Sequence, residues 1–206
     1  MNTKQKGFTL VEIAIVLVIV GLLLGAVLKG QELIFNSKVK ATYNLSKELS
    51  AAMYSYQDRY KQLPGDDSQA SSRFPSAFPA ATNGNGDGTM AWGGYCLAGG
   101  FTGENCQALY HLRLAGFLTG AGADPIMSAG GGAAFPAPGS TLVTGATSSP
   151  VLGLRYSTMS HKMMSAIDTS FDDGDPRSGS IRCQTITSYN MSTPDAAITS
   201  NCIIAQ

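Results

Sequence analysis

Residues Phe8–Leu28, FTLVEIAIVLVIVGLLLGAVL, form a 21-residue run in which the only charged side chain is Glu12. At the rise of an α-helix such a run spans about 30 Å, the thickness of a bilayer's hydrocarbon core. It must therefore sit in lipid or lie against other apolar helices. The residues before it, Met1–Gly7, carry Lys4 and Lys6 and no acid. By the positive-inside bias this keeps the amino end in the cytoplasm and sends everything after Lys29 to the far side. A secretory signal ordinarily has a shorter apolar core and a small-residue exit. This run has neither, and its helical pattern continues, so the sequence predicts that it is retained.

Beyond Lys29, apolar residues recur near helical spacing at Leu33, Ile34, Val39, Tyr43, Leu45, Leu49, Met53, Tyr54 and Tyr56, and Pro64-Gly65 makes the stop. An unbroken helix over Phe8–Gln62 would contain 55 residues and run roughly 80 Å, far longer than a globular domain accommodates. Its first half has to meet lipid or other apolar helices, and its second half has to lay one face on a domain.

Glu12 is the costly residue. A carboxylate within an apolar membrane helix marks a functional position unless it is paired or reaches the interface. A cut after Gly7 would place a new α-amino group on Phe8, four residues before Glu12. The plainer alternative is that Glu12 reaches back to the headgroups.

The string Lys4-Gln-Lys-Gly7-Phe8-Thr9-Leu10-Val11-Glu12 resembles the class III signal peptide of type IV pilins and of the pseudopilins of type II secretion. That resemblance implies cleavage between Gly7 and Phe8 by a prepilin peptidase, methylation of the Phe8 amine, and assembly through Glu12 pairing with the amine of a neighbouring copy. It also implies the partners: membrane lipid first, an inner-membrane assembly platform, then other copies of the chain in a helical filament. The chain is then the substrate of processing and not an enzyme. Its location would be the inner membrane with a periplasmic domain, and afterwards a pilus or pseudopilus. The implied fold is α+β, a long amino-terminal helix whose distal half packs on a small antiparallel sheet with loop-rich insertions. In these terms the segments are leader 1–7, membrane or filament-core helix 8–28, distal helix 29–62 and extracytoplasmic domain 63–206. One departure is that no proline interrupts the apolar half; Gly21, Gly25 and Gly30 stand there instead, and Gly21 and Gly25 have the GxxxG spacing that lets helices approach closely.

Composition narrows the remaining roles. Fourteen basic side chains against 14 acidic give no net charge, which disfavours nucleic acid as a partner. The hydrophobic fraction of 44% excludes a disordered chain. GxSxG, HExxH and P-loop patterns are absent, and the two histidines, His111 and His161, read as ordinary surface or half-buried residues.

Cys96, Cys106, Cys183 and Cys202 make an even count, which fits disulfides in an exported domain. Of the three pairings, Cys96–Cys106 with Cys183–Cys202 closes the shortest loops. No cofactor is expected, with calcium as the one candidate. Asn83, Asn85 and Asp87 stand at alternate positions in a Gly-rich turn like the front of an oxygen-ligand loop, and Asp172 and Asp173 offer carboxylates from elsewhere. The competing reading is that both are solvated turns.

The rest of the domain reads as turns over 65–105, a helix over 105–114, a Gly/Ala/Pro-rich loop over 115–150, a strand over 151–157, a helix over 160–167 and a strand over 180–187. About three to five short antiparallel strands are expected. Two functions follow: a structural filament subunit, or a minor tip pilin or anchored binding protein for adhesion or DNA uptake that uses Trp92, Tyr95 and the 120–150 loop.

Overall fold

The computed structural model describes residues 7, 9–77, 79–91, 93, 103–120, 122, 124–138, 152–157, 159–183, 186, 188–195 and 202–205. The chain divides into two units, Met1–Lys38 and Val39–Gln206. Helix α1, Leu10–Tyr60, begins in the first unit and ends in the second.

In the second unit α1 buries Val39, Thr42, Ser46, Leu49, Met53 and Tyr56. These residues alternate three- and four-residue steps, so they form one stripe along the helix. At its far end the helix stops where Lys61 takes a positive φ of 58°. The stripe meets α3 (Glu104–Leu114) through a cluster of Ala52, Met53, Tyr56, Leu63, Met90, Ala108 and Leu112. Nearer the start of the unit, Tyr43 stacks on Phe171 at the end of α4 (His161–Phe171). Thr42 Oγ1 also accepts the Gly130 N–H at 2.9 Å. A short helix, α2 (Ala70–Arg73), follows the Pro64 turn.

Among the described residues there are five strands, β1 (Ile126–Met127), β2 (Ala133–Pro138), β3 (Leu152–Ser157), β4 (Ile181–Cys183) and β5 (Cys202–Ala205). They form one antiparallel sheet in the order β1-β2-β3-β5-β4. Helix α3 packs on β2. The fold is α+β, a long apolar amino-terminal helix followed by a small antiparallel sheet.

Helix α3 and strand β3 fall where the sequence places them. Helix α4 runs four residues further than expected, to Phe171, after Ser160 caps it by accepting the Met163 N–H at 3.2 Å. The 115–150 stretch is a correction: it holds β1 and β2. β2 reads AAFPAP, without a β-branched residue, and is strand only because its six residues pair with β3 from Ala133↔Ser157 to Pro138↔Leu152. β1 pairs only Ala133 and Ala134 of β2, so Pro136 and Pro138 occupy an edge, where a missing N–H is tolerated. Of the expected strand over 180–187, the described part is β4, Ile181–Cys183, and residues 184, 185 and 187 lie outside the described residues. The carboxyl-terminal strand β5 sits inside the sheet between β3 and β4.

Candidate functional site

In the first unit, Gly7 lies in non-helical backbone and Phe8 is outside the described residues. Thr9 and Glu12 form a capping box. The Thr9 N–H donates to Glu12 Oε2 at 2.7 Å, and the Glu12 N–H donates to Thr9 Oγ1 at 3.2 Å. The Thr9 hydroxyl adds a bond to Glu12 Oε2 at 2.9 Å. These bonds satisfy donors that a helix start leaves unpaired. The Thr-x-x-Glu spacing of Thr9 and Glu12 carries that signal in the sequence, beside the charge of Glu12.

Behind the box the helix presents apolar residues that the chain itself leaves uncovered, from Leu10 at 87% exposure to Val20 at 44%. Its most apolar 18-residue window has a mean hydropathy of 2.9, and by length and composition it is able to cross a membrane. Added Cβ atoms at Gly21, Gly25 and Gly30 would meet nothing within 4 Å. Lys29 and Glu32 pair at 2.7 Å just past the run, both exposed.

In the second unit the acidic turns are organised differently from the sequence expectation. Asp66 and Asp67, which read as a plain turn, are fully buried. Asp66 Oδ1 accepts the N–H groups of Gly86 and Asp87 at 2.6 and 3.2 Å, and Oδ2 that of Gly88 at 2.8 Å. The Asn83–Gly88 loop thus turns its N–H groups inward onto a carboxylate. Its own oxygens are engaged too: Asn83 Oδ1 accepts from Ser71 N at 2.8 Å, Asn85 Oδ1 from Asp87 N at 2.8 Å, and Asp87 Oδ1 from Thr89. Those bonds from Thr89 pull the Asp87 carboxyl below its ordinary range.

Asp67 is the acceptor of a second network. Its Oδ2 takes the Tyr56 hydroxyl at 2.7 Å and Arg73 Nε at 2.8 Å, and its Oδ1 takes the Gln69 N–H at 2.9 Å. Burial pushes Asp67 upward, but these bonds and the Arg73 charge outweigh it and hold the carboxyl below its ordinary value. The Tyr56 phenol is pushed up by burial and by its bond to Asp67. Arg73 also lies over the Tyr60 ring at 5.1 Å.

Among the described residues one group of carboxylates converges, Asp168, Asp172 and Asp173, with oxygens within 4.8 Å of one another. This is the donor set with the chemistry for a hard cation. Asp172 and Asp173 thus join Asp168, a partner missed in the sequence, and Asp87 is not in the group. Each acid already accepts hydrogen bonds: Asp168 from Tyr189 OH at 2.6 Å and Gly174 N at 3.1 Å, Asp172 from Ile181 N at 2.8 Å, Asp173 from Asp175 N at 2.9 Å. Burial, then the neighbouring Asp172 and Asp173 charges, raises Asp168 above its ordinary range despite those bonds.

His111 corrects an expectation as well: it is fully buried, because it faces the Gly65 turn and the Thr82 carbonyl from the inner face of α3. His161 is half-buried and its Nδ1 accepts the Asn190 N–H at 3.2 Å. Cys183 and Cys202 are joined as expected, directly across β4 and β5. Cys106 is disulfide-bonded, while Cys96, Trp92 and Tyr95 lie outside the described residues.

No curated protein and no solved structure matches the chain. A family model described as the prokaryotic N-terminal methylation motif matches residues 2–28. The match takes in the basic leader, the Gly7–Phe8 bond, the Thr9–Glu12 box and the apolar run through Leu28. The amino terminus of this chain is therefore the class III signal peptide found in type IV pilins and pseudopilins.

Proposed function

We propose that the chain is the precursor of a structural subunit of a type IV pilus or a type II secretion pseudopilus, cut after Gly7, methylated on Phe8 and assembled through the apolar half of α1. The observation that carries this reading is the methylation motif over residues 2–28, continuous with a helix whose apolar side chains the chain leaves uncovered from Leu10 to Leu28. Such a surface needs lipid while the subunit waits in the inner membrane, and the same surface of other copies once it leaves. The peptidase and an inner-membrane assembly platform act on the chain, whose domain lies on the periplasmic side.

Moving the helix from lipid to a bundle of like helices gains little from hydrophobicity, since both surroundings are apolar. Selectivity then rests on close packing and on Glu12 meeting the freed amine of an adjoining copy. The capping box leaves Glu12 Oε2 engaged with its own helix start, so charge and cap have to be separated by experiment. Glu12→Val removes both; Glu12→Gln keeps a capping side chain without the charge. Both variants are expected in the membrane fraction and absent from sheared filaments. Normal filament yield from Glu12→Gln refutes the charge pair, and a wild-type intact mass that begins at Met1 refutes the maturation.

A further inference from the structure

His111 has no solvent exposure, and backbone groups occupy both ring nitrogens. Nδ1 accepts the Gly65 N–H at 3.0 Å, and Nε2 lies 3.0 Å from the Thr82 carbonyl oxygen. A carbonyl oxygen accepts and an amide N–H donates, so the contacts admit one form of the ring: neutral, with hydrogen on Nε2 and a lone pair on Nδ1. Protonating Nδ1 would point N–H at N–H, in a buried place where an orphaned donor is costly.

The ring fastens a segment that has no helix or strand of its own. From Thr82 to Ala91 the backbone is held to the Asp66-Asp67 turn by two main-chain bonds, Gly84 N–H to the Asp67 carbonyl at 3.0 Å and Gly86 N–H to the Asp66 carbonyl at 3.1 Å, and otherwise by side-chain acceptors, with the Asp66 carboxylate taking Gly86, Asp87 and Gly88, and Glu104 taking Asn85 and Ala91 at 3.1 and 2.6 Å. The Gly65 turn that carries Asp66 packs closely against α3. A Cβ on Gly65 would lie 2.1 Å from the Glu104 carbonyl oxygen, so pushing Gly65 away from α3 displaces the carboxylate around which the segment is wound.

The ionisable groups around the ring come from every element packed there. Tyr56 of α1 stacks at 6.2 Å and keeps its proton on the acid side. Asp66 and Asp67 come from the turn after Pro64. Asp67 favours an imidazolium, but Arg73 of α2 shares it at 2.8 Å and offsets that charge. Glu104 and Arg113 lie on α3, and Asp87 lies on the fastened segment. Burial holds His111 below the ordinary histidine range against the Thr82 bond and the Asp67 charge.

We propose that His111 is an acid-released latch: its neutral ring fastens the Gly65 turn and the Thr82–Ala91 segment to α3, and its protonation lets that segment open. The proposal does not depend on the filament reading. Its test is amide hydrogen exchange on the full chain in detergent micelles, wild type beside His111→Gln, at about pH 8 and about pH 5. Glutamine offers an acceptor oxygen and a donor nitrogen and does not titrate. In the wild type, protection over 82–91, corrected for intrinsic rates, should fall on the order of tenfold at the lower pH, the effect of losing one buried hydrogen bond. The variant should show no such fall. Equal wild-type protection at both pH values, or the same fall in the variant, overturns the latch. Should the variant not fold, the wild-type ring nitrogens are titrated by NMR. Protonation of Nδ1 must then share its midpoint with the Gly65 and Gly86 amide shifts, and separate midpoints overturn the proposal.

Discussion

Replacing Tyr56 by Phe removes one oxygen from the centre of the second unit and leaves the ring in place. The ring is fully buried, 4.6 Å from Tyr60 and 6.4 Å from Phe117, and phenylalanine keeps those contacts. What disappears is the 2.7 Å bond to Asp67. A hydrogen bond to a charged acceptor contributes about 1.5–3 kcal/mol. The carboxylate retains Arg73 and the Gln69 N–H, so it is weakened rather than orphaned, and a loss of about 2 kcal/mol is expected. For a unit of this size that lowers Tm by roughly 4–8 °C. The pH dependence has a definite sign. Asp67 is held below its unfolded value, so its bonds stabilise the fold above about pH 4 and cease to do so as pH falls through the lower, folded value. The gap between wild type and Tyr56→Phe should be full near neutrality and close in acid. Tyr56 is shifted upward, so its stabilisation is complete below about pH 10 and lost as pH rises further, a loss the variant lacks. Urea unfolding of the full chain in micelles, followed by circular dichroism, measures both. A neutral-pH difference under about 0.5 kcal/mol, or one that stays constant into acid, would refute the buried carboxylate account.

The matched pair Gly65→Ala and Gly88→Ala separates backbone strain from collision. Both residues have positive φ, +90° and +80°, but only Gly65 has backbone where a Cβ would go. Gly88→Ala should cost about 1–2 kcal/mol and Gly65→Ala about 3 kcal/mol or more in thermal melts. Replacing Cys183 and Cys202 together by Ala frees a bridge with a sequence separation of 19. Chain entropy puts the loss near 3 kcal/mol, read as a lower urea midpoint with β5 amides exchanging first.

The amino terminus was legible because its physics is local and repetitive. A long apolar run, a basic leader and one acid constrain the outcome before any tertiary contact forms, and α1 from Leu10 to Tyr60 follows. Its stripe of burial from Val39 to Tyr56 was readable in part, since Thr42, Ser46 and Ser50 are buried polar positions that an apolar count passes over. β2 was illegible because Ala and Pro have no strand preference; pairing with β3 made it a strand. Position β5 presented a similar difficulty: four residues in a central strand are too few to show alternation. The burial of His111 and of the Asp66-Asp67 pair was illegible for a different reason. Polar residues in a Gly-rich sequence normally indicate solvent, and nothing local marks the ones that backbone donors will surround.

Burial of these acids shows how this domain is held together. Only 14% of the chain is charged, yet several of its acids face inward: Asp66, Asp67 and Asp168 are fully buried. The cause lies in the long stretches without helix or strand. Buried backbone N–H groups there have no ladder to join and must find acceptors elsewhere. Asp66 supplies three and Glu104 two for the 85–91 segment, while Asp168 and Asp172 supply the turn from Gly174 to Ile181. A carboxylate suits this work, because each oxygen accepts more than one donor and charge-assisted bonds are the strong ones. The same Asn/Asp/Gly composition that resembles a cation loop also serves to collect backbone N–H groups inside the chain. Glycines let the backbone curl, and the acids collect the N–H groups that the curl turns inward. Substituting Asp66 and Asp87 with Asn one at a time distinguishes the two uses, since Asp66 is buried and collects three loop N–H groups, whereas Asp87 is exposed, takes only local Thr89 and Asn85 donors and would face a cation. Melting that falls for Asp66→Asn and barely moves for Asp87→Asn, with or without added calcium, is the outcome this arrangement requires.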